Sequence, residues 1–92
     1  MNTLEQQLQK LDGWERHQEQ ISKTFGFDAY LTGILFVERL AAFAEAVQHH
    51  PQITIDHTNV TIVWTTVDEG KLTDKDIHGA HAADNLYQAN GQ

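Results

Sequence analysis

Hydrophobic positions along the chain recur with two different periods, and segments of the two kinds alternate. Helical spacing of apolar residues marks three segments, residues 3–10, 29–49 and 73–88. Alternation of apolar and polar residues, typical of half-buried strands, marks four segments, residues 14–17, 21–27, 52–57 and 59–67. Strands joined by tight turns pair antiparallel. The order α-β-β-α-β-β-α therefore predicts one α+β domain over residues 1–92, with three helices on one face of a four-stranded antiparallel sheet.

The ends of the helices carry capping residues. Thr3 and Thr73 each precede a polar residue at the capping-box position. Asp76 occupies that position after Thr73, which predicts a structural role in the cap rather than a catalytic one. We expect Asn90-Gly91 to end the last helix.

The strand segments carry two further signals. Lys23 interrupts an apolar face, which predicts that its strand lies near an edge of the sheet. Asn tolerates positive φ, so the hairpin of the last two strands is expected to turn at Thr58-Asn59. That turn pairs His57 with Val60 and directs both side chains towards the core.

The long helix, expected to be capped by Asp28, is apolar around much of its circumference. A helix of this kind has two apolar partners rather than one. One face can cover the sheet, and the other predicts contact with a second copy of the chain, as a dimer or tetramer. The residues behind this expectation include Tyr30, Leu31, Leu35, Phe36, Leu40 and Val47.

Composition narrows the classes of function. The formal net charge is −7, with six Lys and Arg residues scattered singly, which argues against nucleic acid or anionic membranes as partners. No apolar run reaches the roughly 20 residues of a membrane span, and the N-terminus lacks the pattern of a signal peptide. The absence of Cys excludes disulfides and thiolate chemistry and fits a cytoplasmic protein.

Candidate chemistry concentrates where the long helix ends, in the motif Glu45-x-x-x-His49-His50-Pro51. Pro51 disfavours helical geometry at His50, so the helix must stop there. Glu45 and His49 are four residues apart and are expected to touch on one helix face. A carboxylate beside an imidazole suits proton transfer near neutral pH.

The order of elements together with this motif resembles the pterin-4a-carbinolamine dehydratase family. The family pattern runs Glu-x-x-x-His-His-Pro, then an aromatic residue, then a His or Trp, then an Asp. Five residues match it at the right spacing: Glu45, His49, His50, Pro51 and Asp76. Two positions depart from it, because His57 replaces the aromatic residue and Val67 replaces the later His or Trp.

The resemblance implies dehydration of a 4a-hydroxytetrahydropterin to the quinonoid dihydropterin, in pterin recycling. The pterin would be the substrate, and neither a cofactor nor a metal is implied. By position, His49 would be the acid–base group, Glu45 would orient it, and His50 would contact the pterin. The other residues implied in substrate binding are Pro51, His57, Thr65, Thr66 and Val67.

Two alternatives remain at this stage. Because Val67 removes one imidazole, the chain is also compatible with a catalytically weak or silent relative that binds another protein. His78 and His81 are three residues apart, within chelating reach on a helix, so metal binding is a second alternative. Solvated residues on a helix face are the competing interpretation of this pair.

Overall fold

The structure, a computed structural model, describes residues 3–89, so the expected helix end at Asn90-Gly91 lies outside the described residues. The elements follow the predicted order. They are α1 (Leu4–Gln9), β1 (Glu15–His17), β2 (Gln20–Gly26), α2 (Tyr30–Val47), β3 (Gln52–Asp56), β4 (Asn59–Trp64), a 3-10 helix (Val67–Glu69) and α3 (Asp74–Ala89). The strands form one antiparallel sheet in the order β1-β2-β4-β3. The predicted α+β class and element order are confirmed.

The core lies between one face of the sheet and the helices. Side chains at alternate positions of the two central strands are buried on that face, where helix residues cover them. They include Ile21 and Phe25 of β2, Val60, Ile62 and Trp64 of β4, Phe36 and Leu40 of α2, and Ile77, Ala80 and Ala83 of α3. The opposite face is polar, and there Thr24 and Thr61 hydrogen-bond across the strands at 2.8 Å.

The caps of α1 and α3 follow the sequence signals. Thr3 and Gln6 make both hydrogen bonds of a capping box at the start of α1. At the start of α3, the Thr73 N–H donates to Asp76 Oδ2 at 3.0 Å, and Thr73 Oγ1 accepts from the N–H of Lys75. Asp28, however, does not cap α2, whose N-cap residue is Ala29 without a side-chain bond.

The position near an edge predicted for β2 is confirmed. β2 is next to the short edge strand β1, which pairs with residues 20–22 and does not reach Lys23, so Lys23 is paired on one side, with Ile62 of β4. Lys23 Nζ donates to Asp84 Oδ1 at 2.8 Å and to the Asp12 carbonyl at 3.1 Å. The same ammonium lies over the rings of Trp14 and Phe25. On the side of β2 that β1 leaves unpaired, this lysine is therefore held by an ion pair with Asp84 of α3.

The predicted turn of the β3–β4 hairpin is wrong by one residue. The turn residues are His57 and Thr58, Asp56 pairs with Asn59, and His57 is the residue at positive φ. His, like Asn, is enriched at positive φ, so the sequence offered two candidates. The observed turn shifts the pairing by two residues and therefore keeps the faces of the strands, but Ile55 rather than His57 is opposite Val60. An apolar pair thus replaces the imidazole that the sequence analysis placed against the core.

Candidate functional site

The end of α2 sets the directions of His49 and His50. Gln48 adopts the left-handed conformation with φ 54°, its N–H bonds to the Glu45 carbonyl, and the N–H of His49 bonds to the Ala44 carbonyl. These two bonds form a Schellman motif. The helix therefore ends at Val47, two residues earlier than predicted, and both imidazoles lie beyond it.

His49 is held by a carboxylate and an aromatic ring. Its Nε2 lies 2.7 Å from Oδ1 of Asp76, and its side chain is 11% exposed. Its ring stacks on the indole of Trp64, with centroids 5.4 Å apart and an interplanar angle of 17°. A carboxylate facing Nε2 favours the tautomer with a proton on that atom, which leaves Nδ1 to exchange protons with a substrate.

Asp76 is itself buried and fully engaged. None of its side chain is exposed. Besides His49, it accepts hydrogen bonds at Oδ2 from Thr66 Oγ1, at 2.8 Å, and from the N–H of Thr73, at 3.0 Å. Three donors on two oxygens fix the orientation of the carboxylate. Asp76 is thus the predicted cap, and it also positions His49, which the sequence analysis did not assign to it.

The predicted contact between Glu45 and His49 is wrong. Glu45 Oε2 instead hydrogen-bonds to Nε2 of His50. The four-residue spacing would bring Glu45 to His49 only on a continuous helix, and the left-handed Gln48 interrupts it. Both partners of the observed pair are largely exposed, at 53% for His50 and 71% for Glu45, in contrast to the buried pair at His49.

A cleft of about 220 Å³ brings together most of the residues predicted for the site. We call it the His49–Val67 cleft. Its lining residues are Gln48, His49, His50, Thr65, Thr66, Val67, Asp68 and Lys75. Val67 is 80% exposed, so its side chain fills no gap in the core.

Neither threonine hydroxyl in this cleft is free to bind a ligand as a donor. Thr66 Oγ1 donates to Asp76, and Thr65 Oγ1 donates to the carbonyl of Glu19. The carboxylate of Glu19 also accepts from the N–H of Leu72 at 3.1 Å. Glu19 thereby anchors both ends of the segment that carries Val67.

Two predicted site residues lie elsewhere. His57 sits at the turn after β3, six residues from Pro51, which at ~3.3 Å per strand residue is about 20 Å away. Its ring stacks on Tyr30 at the start of α2, with centroids 6.5 Å apart. Pro51 is partly buried and does not line the cleft. Within one chain, His57 therefore cannot reach a ligand held by His49.

Sequence reasoning missed Trp64, Lys75 and Gln48. Trp64 belongs to a segment in which apolar and polar residues alternate, and this pattern gives no sign that its ring also stacks on His49. For Asp76 a signal did exist, because a carboxylate at a capping position matched the family pattern. No group of three or more His, Asp or Glu side chains among residues 3–89 is arranged to hold a metal ion.

The close approach of Gly79 to Trp64 gives a prediction about this support. A Cβ on Gly79 would lie 2.4 Å from Cε2 of the indole. We expect Gly79→Ala to lower the free energy of unfolding by about 1–3 kcal/mol, as for an overpacked core. This loss would exceed the ~0.5–1 kcal/mol that alanine normally gains in a helix. Urea unfolding measures it, with Gln88→Ala on the exposed side of α3 as the control, and a Gly79→Ala protein as stable as the control would contradict it.

A buried carboxylate–imidazole pair at the mouth of a small cleft, on a helix-covered antiparallel sheet, defines a small α+β protein with a candidate acid–base site. Comparison with known proteins identifies the family. The model of the family described as pterin 4 alpha carbinolamine dehydratase matches residues 1–86. The chain therefore belongs to the pterin-4a-carbinolamine dehydratase family.

Named relatives and solved structures agree with this membership. A protein of Herpetosiphon aurantiacus, provisionally named a pterin-4-alpha-carbinolamine dehydratase, is 42% identical over 86 residues, covering 94% of this chain and 90% of the relative. A protein of Mycobacteroides abscessus with the same provisional name is 44% identical over 77 residues, covering 84% and 82%.

Two solved structures share the fold. A transcriptional coactivator/pterin dehydratase from Brucella melitensis superposes with a TM-score of 0.86 at 28% identity, covering 91% of this chain and 92% of that one. A pterin dehydratase-like protein described as a RuBisCO assembly factor in the alpha-carboxysome gives a TM-score of 0.66 at 27% identity, covering 80% and 86%.

No helix within residues 3–89 is long and apolar enough to span a membrane.

Proposed function

We propose that this protein is a dehydratase that converts a 4a-hydroxytetrahydropterin to the quinonoid dihydropterin in pterin recycling, in the cytoplasm. The pterin is the substrate, and no cofactor or metal takes part. The observation that carries the proposal is the position of His49, which lines the His49–Val67 cleft while Asp76 and Trp64 fix its ring. Family membership supports the same reaction class.

The reaction needs two proton transfers that one imidazole can perform in succession. The N5 lone pair of the carbinolamine expels the C4a hydroxyl, which leaves as water once an acid has protonated it. This expulsion forms the C4a–N5 double bond and leaves a positive charge on N5. A base then removes the N5 proton, and the N–H electron pair stays on N5 as its lone pair. In the imidazolium form, Nδ1 of His49 can supply the first proton, and in the neutral form the same nitrogen can accept the second. The cycle thus returns His49 to its initial state.

The remaining residues of the cleft divide into binding and positioning roles. His50, held by Glu45, lies beside His49 at the cleft and would contact the pterin ring. Because the hydroxyls of Thr65 and Thr66 are engaged, these residues would contribute backbone groups and surface rather than hydroxyl donors. Lys75 adds a cation to the cleft wall.

A direct assay tests the proposal. Freshly generated 4a-hydroxytetrahydropterin should lose water faster in the presence of the protein than in buffer, with an established family member as the positive control. A rate equal to the uncatalysed one, in a preparation that is folded by circular dichroism, would contradict dehydratase activity.

A catalytically silent, protein-binding relative is the second candidate function. Val67 is exposed at the position where the family carries a His or Trp, which removes an acid–base group from the cleft. The structural similarity to a protein described as a RuBisCO assembly factor also favours this candidate. The intact Asp76–His49 pair favours the enzyme.

Restoring the missing imidazole separates the two candidates. We expect Val67→His to raise the dehydration rate about ten-fold, equivalent to about 1.4 kcal/mol of transition-state stabilisation. The substitution should leave the melting temperature unchanged, because residue 67 is exposed. Val67→Gln is the control for a polar side chain without acid–base capacity. A stable Val67→His protein without gain, from a wild type without measurable activity, would favour the silent relative.

We also propose that the protein is a homo-oligomer, a dimer or tetramer, associating partly through α2. α2 carries large apolar residues that are substantially exposed: Tyr30, Leu31, Leu35 and Val47, at 49%, 74%, 41% and 51%.

Sedimentation velocity in dilute neutral buffer should therefore give a mass above that of the monomer. Leu31→Glu should lower it to the monomer mass without unfolding the subunit, because residue 31 is outside the core. Gln9→Glu on α1 is the charge-matched control. A monomeric wild type would contradict the proposal.

A further inference from the structure

A second and larger cleft lies between α2 and α3 and is also lined by His49. Its volume is about 320 Å³, within the range of small-molecule sites. We call it the α2–α3 cleft. Phe43 and Val47 of α2 and Ala82 of α3 give it an apolar lining, and Lys75, His78 and His81 of α3 also line it. His49 and Lys75 line both clefts, and the reaction proposed above uses none of the other groups in this lining.

The charge around this cleft is opposite to that of the chain as a whole. The chain carries 13 acidic against six basic residues, yet no acidic residue lines the α2–α3 cleft. Asp76, the acidic residue bonded to His49, is fully buried, and both its oxygens are occupied. Glu45, at the end of α2, is paired with His50.

Three of the polar side chains that line the cleft are available for a ligand, whereas His49 is paired with Asp76. Within residues 3–89, the side chains of Lys75, His78 and His81 make no hydrogen bond or ion pair. They follow at three-residue intervals along α3, so they lie on neighbouring turns of one helix face. One full cation and two imidazoles that can donate N–H bonds thus border an apolar surface.

We propose that the α2–α3 cleft binds a small aromatic carboxylate. Its ring would pack on Phe43, Val47 and Ala82, and its carboxylate would accept hydrogen bonds from Lys75 and from an imidazole of His78 or His81. The apolar lining disfavours a small inorganic anion, which would leave that surface uncovered, and the cationic edge disfavours a neutral hydrocarbon. The proposal is independent of dehydratase activity, because binding here requires no pterin chemistry.

NMR titration with 2-naphthoate tests it on the full chain. We expect saturable shifts of the Val47 methyl and Ala82 amide resonances. The neutral analogue 2-naphthalenemethanol should bind at least ten-fold more weakly. Lys75→Gln should weaken naphthoate binding at least five-fold. The double variant His78→Gln/His81→Gln should weaken it further than His78→Gln or His81→Gln alone. Lys71→Gln, which removes an exposed cation outside both clefts, is the charge-matched control and should bind as the wild type does.

Each contrary result overturns the proposal. Equal affinity for the neutral analogue would show that Lys75, His78 and His81 do not recognise the carboxylate. Binding to Lys75→Gln as tight as binding to Lys71→Gln would show the same for Lys75. Absence of saturable shifts would remove the site itself. Shifts at Phe43 and Val47 that follow protein concentration instead of ligand would assign the cleft to a second copy of the chain. Because the readout is binding, an inactive dehydratase leaves the result interpretable.

Discussion

Replacing His49 with alanine is expected to lower the rate of pterin dehydration by about 10²–10⁴-fold, the usual contribution of a positioned acid–base group. No imidazole stands at residue 67, so His50 is the other imidazole that lines the cleft. His50 is a weaker candidate because its side chain is largely exposed and its partner Glu45 is exposed as well. At His49, by contrast, Asp76 and Trp64 already hold the ring in one orientation before substrate binds.

The measurement is kcat and KM for the wild type, His49→Ala and His50→Ala on the same freshly generated substrate. The loss should appear in kcat for His49→Ala and mainly in KM for His50→Ala, because a binding contact acts on the ground state and the transition state alike. His17→Ala, an exposed histidine of β1, is the control. Wild-type kinetics in both cleft variants would refute the assignment of the site.

Folding must be followed in parallel, because removing His49 leaves a buried carboxylate without one of its donors. Such a loss typically costs about 1–3 kcal/mol. Assays at a temperature where circular dichroism shows each variant to be fully folded separate this effect from catalysis. Restoration of the rate by added imidazole would further assign the loss to the missing ring.

The sequence predicted the elements because the relevant signals are local. Capping at Thr3 and Thr73, alternation along β2 and β4, and helical spacing in α2 and α3 each involve residues a few positions apart. Lys23 shows the limit of such reasoning. A charged residue on an apolar face correctly predicted a strand near an edge, but it gave no sign of the ion-pair partner Asp84, which is 61 positions further along the chain.

The same limit applies to the candidate site. The motif located His49 and His50 correctly at the end of α2. The partner predicted for His49, Glu45, contacts His50 instead, because an i,i+4 contact presumes that the helix continues. Gln48 ends it in a left-handed conformation, for which Gly is the usual residue and Gln gives no warning. Asp76 reaches His49 across 27 positions, through the packing of α3 against α2 and β4. Periodicity cannot predict a contact of that range, although the family pattern had included the residue.

Asp76→Asn is expected to reduce kcat by about 10²–10⁴-fold, the full acid–base contribution, while retaining the shape of the side chain. The reason lies in the groups that donate hydrogen bonds to the side chain of residue 76. The backbone N–H of Thr73 can only donate, so the single oxygen of Asn must face Thr73, where Oδ2 now accepts at 3.0 Å. The amide NH₂ then faces Nε2 of His49 and requires that atom to accept. The proton of the neutral ring moves to Nδ1, and the nitrogen left for the substrate can no longer serve as a base.

Nitrogen-15 NMR of the imidazole distinguishes this mechanism from simple destabilisation. The wild type should show the neutral His49 ring protonated on Nε2, and Asp76→Asn should show it protonated on Nδ1. Asp74→Asn, two residues earlier in the same first turn but exposed, removes the same charge from the helix end and should change neither the tautomer nor kcat. If Asp76→Asn keeps wild-type kcat although the tautomer changes, Asp76 serves α3 as a cap and His49 is not the group that moves the protons.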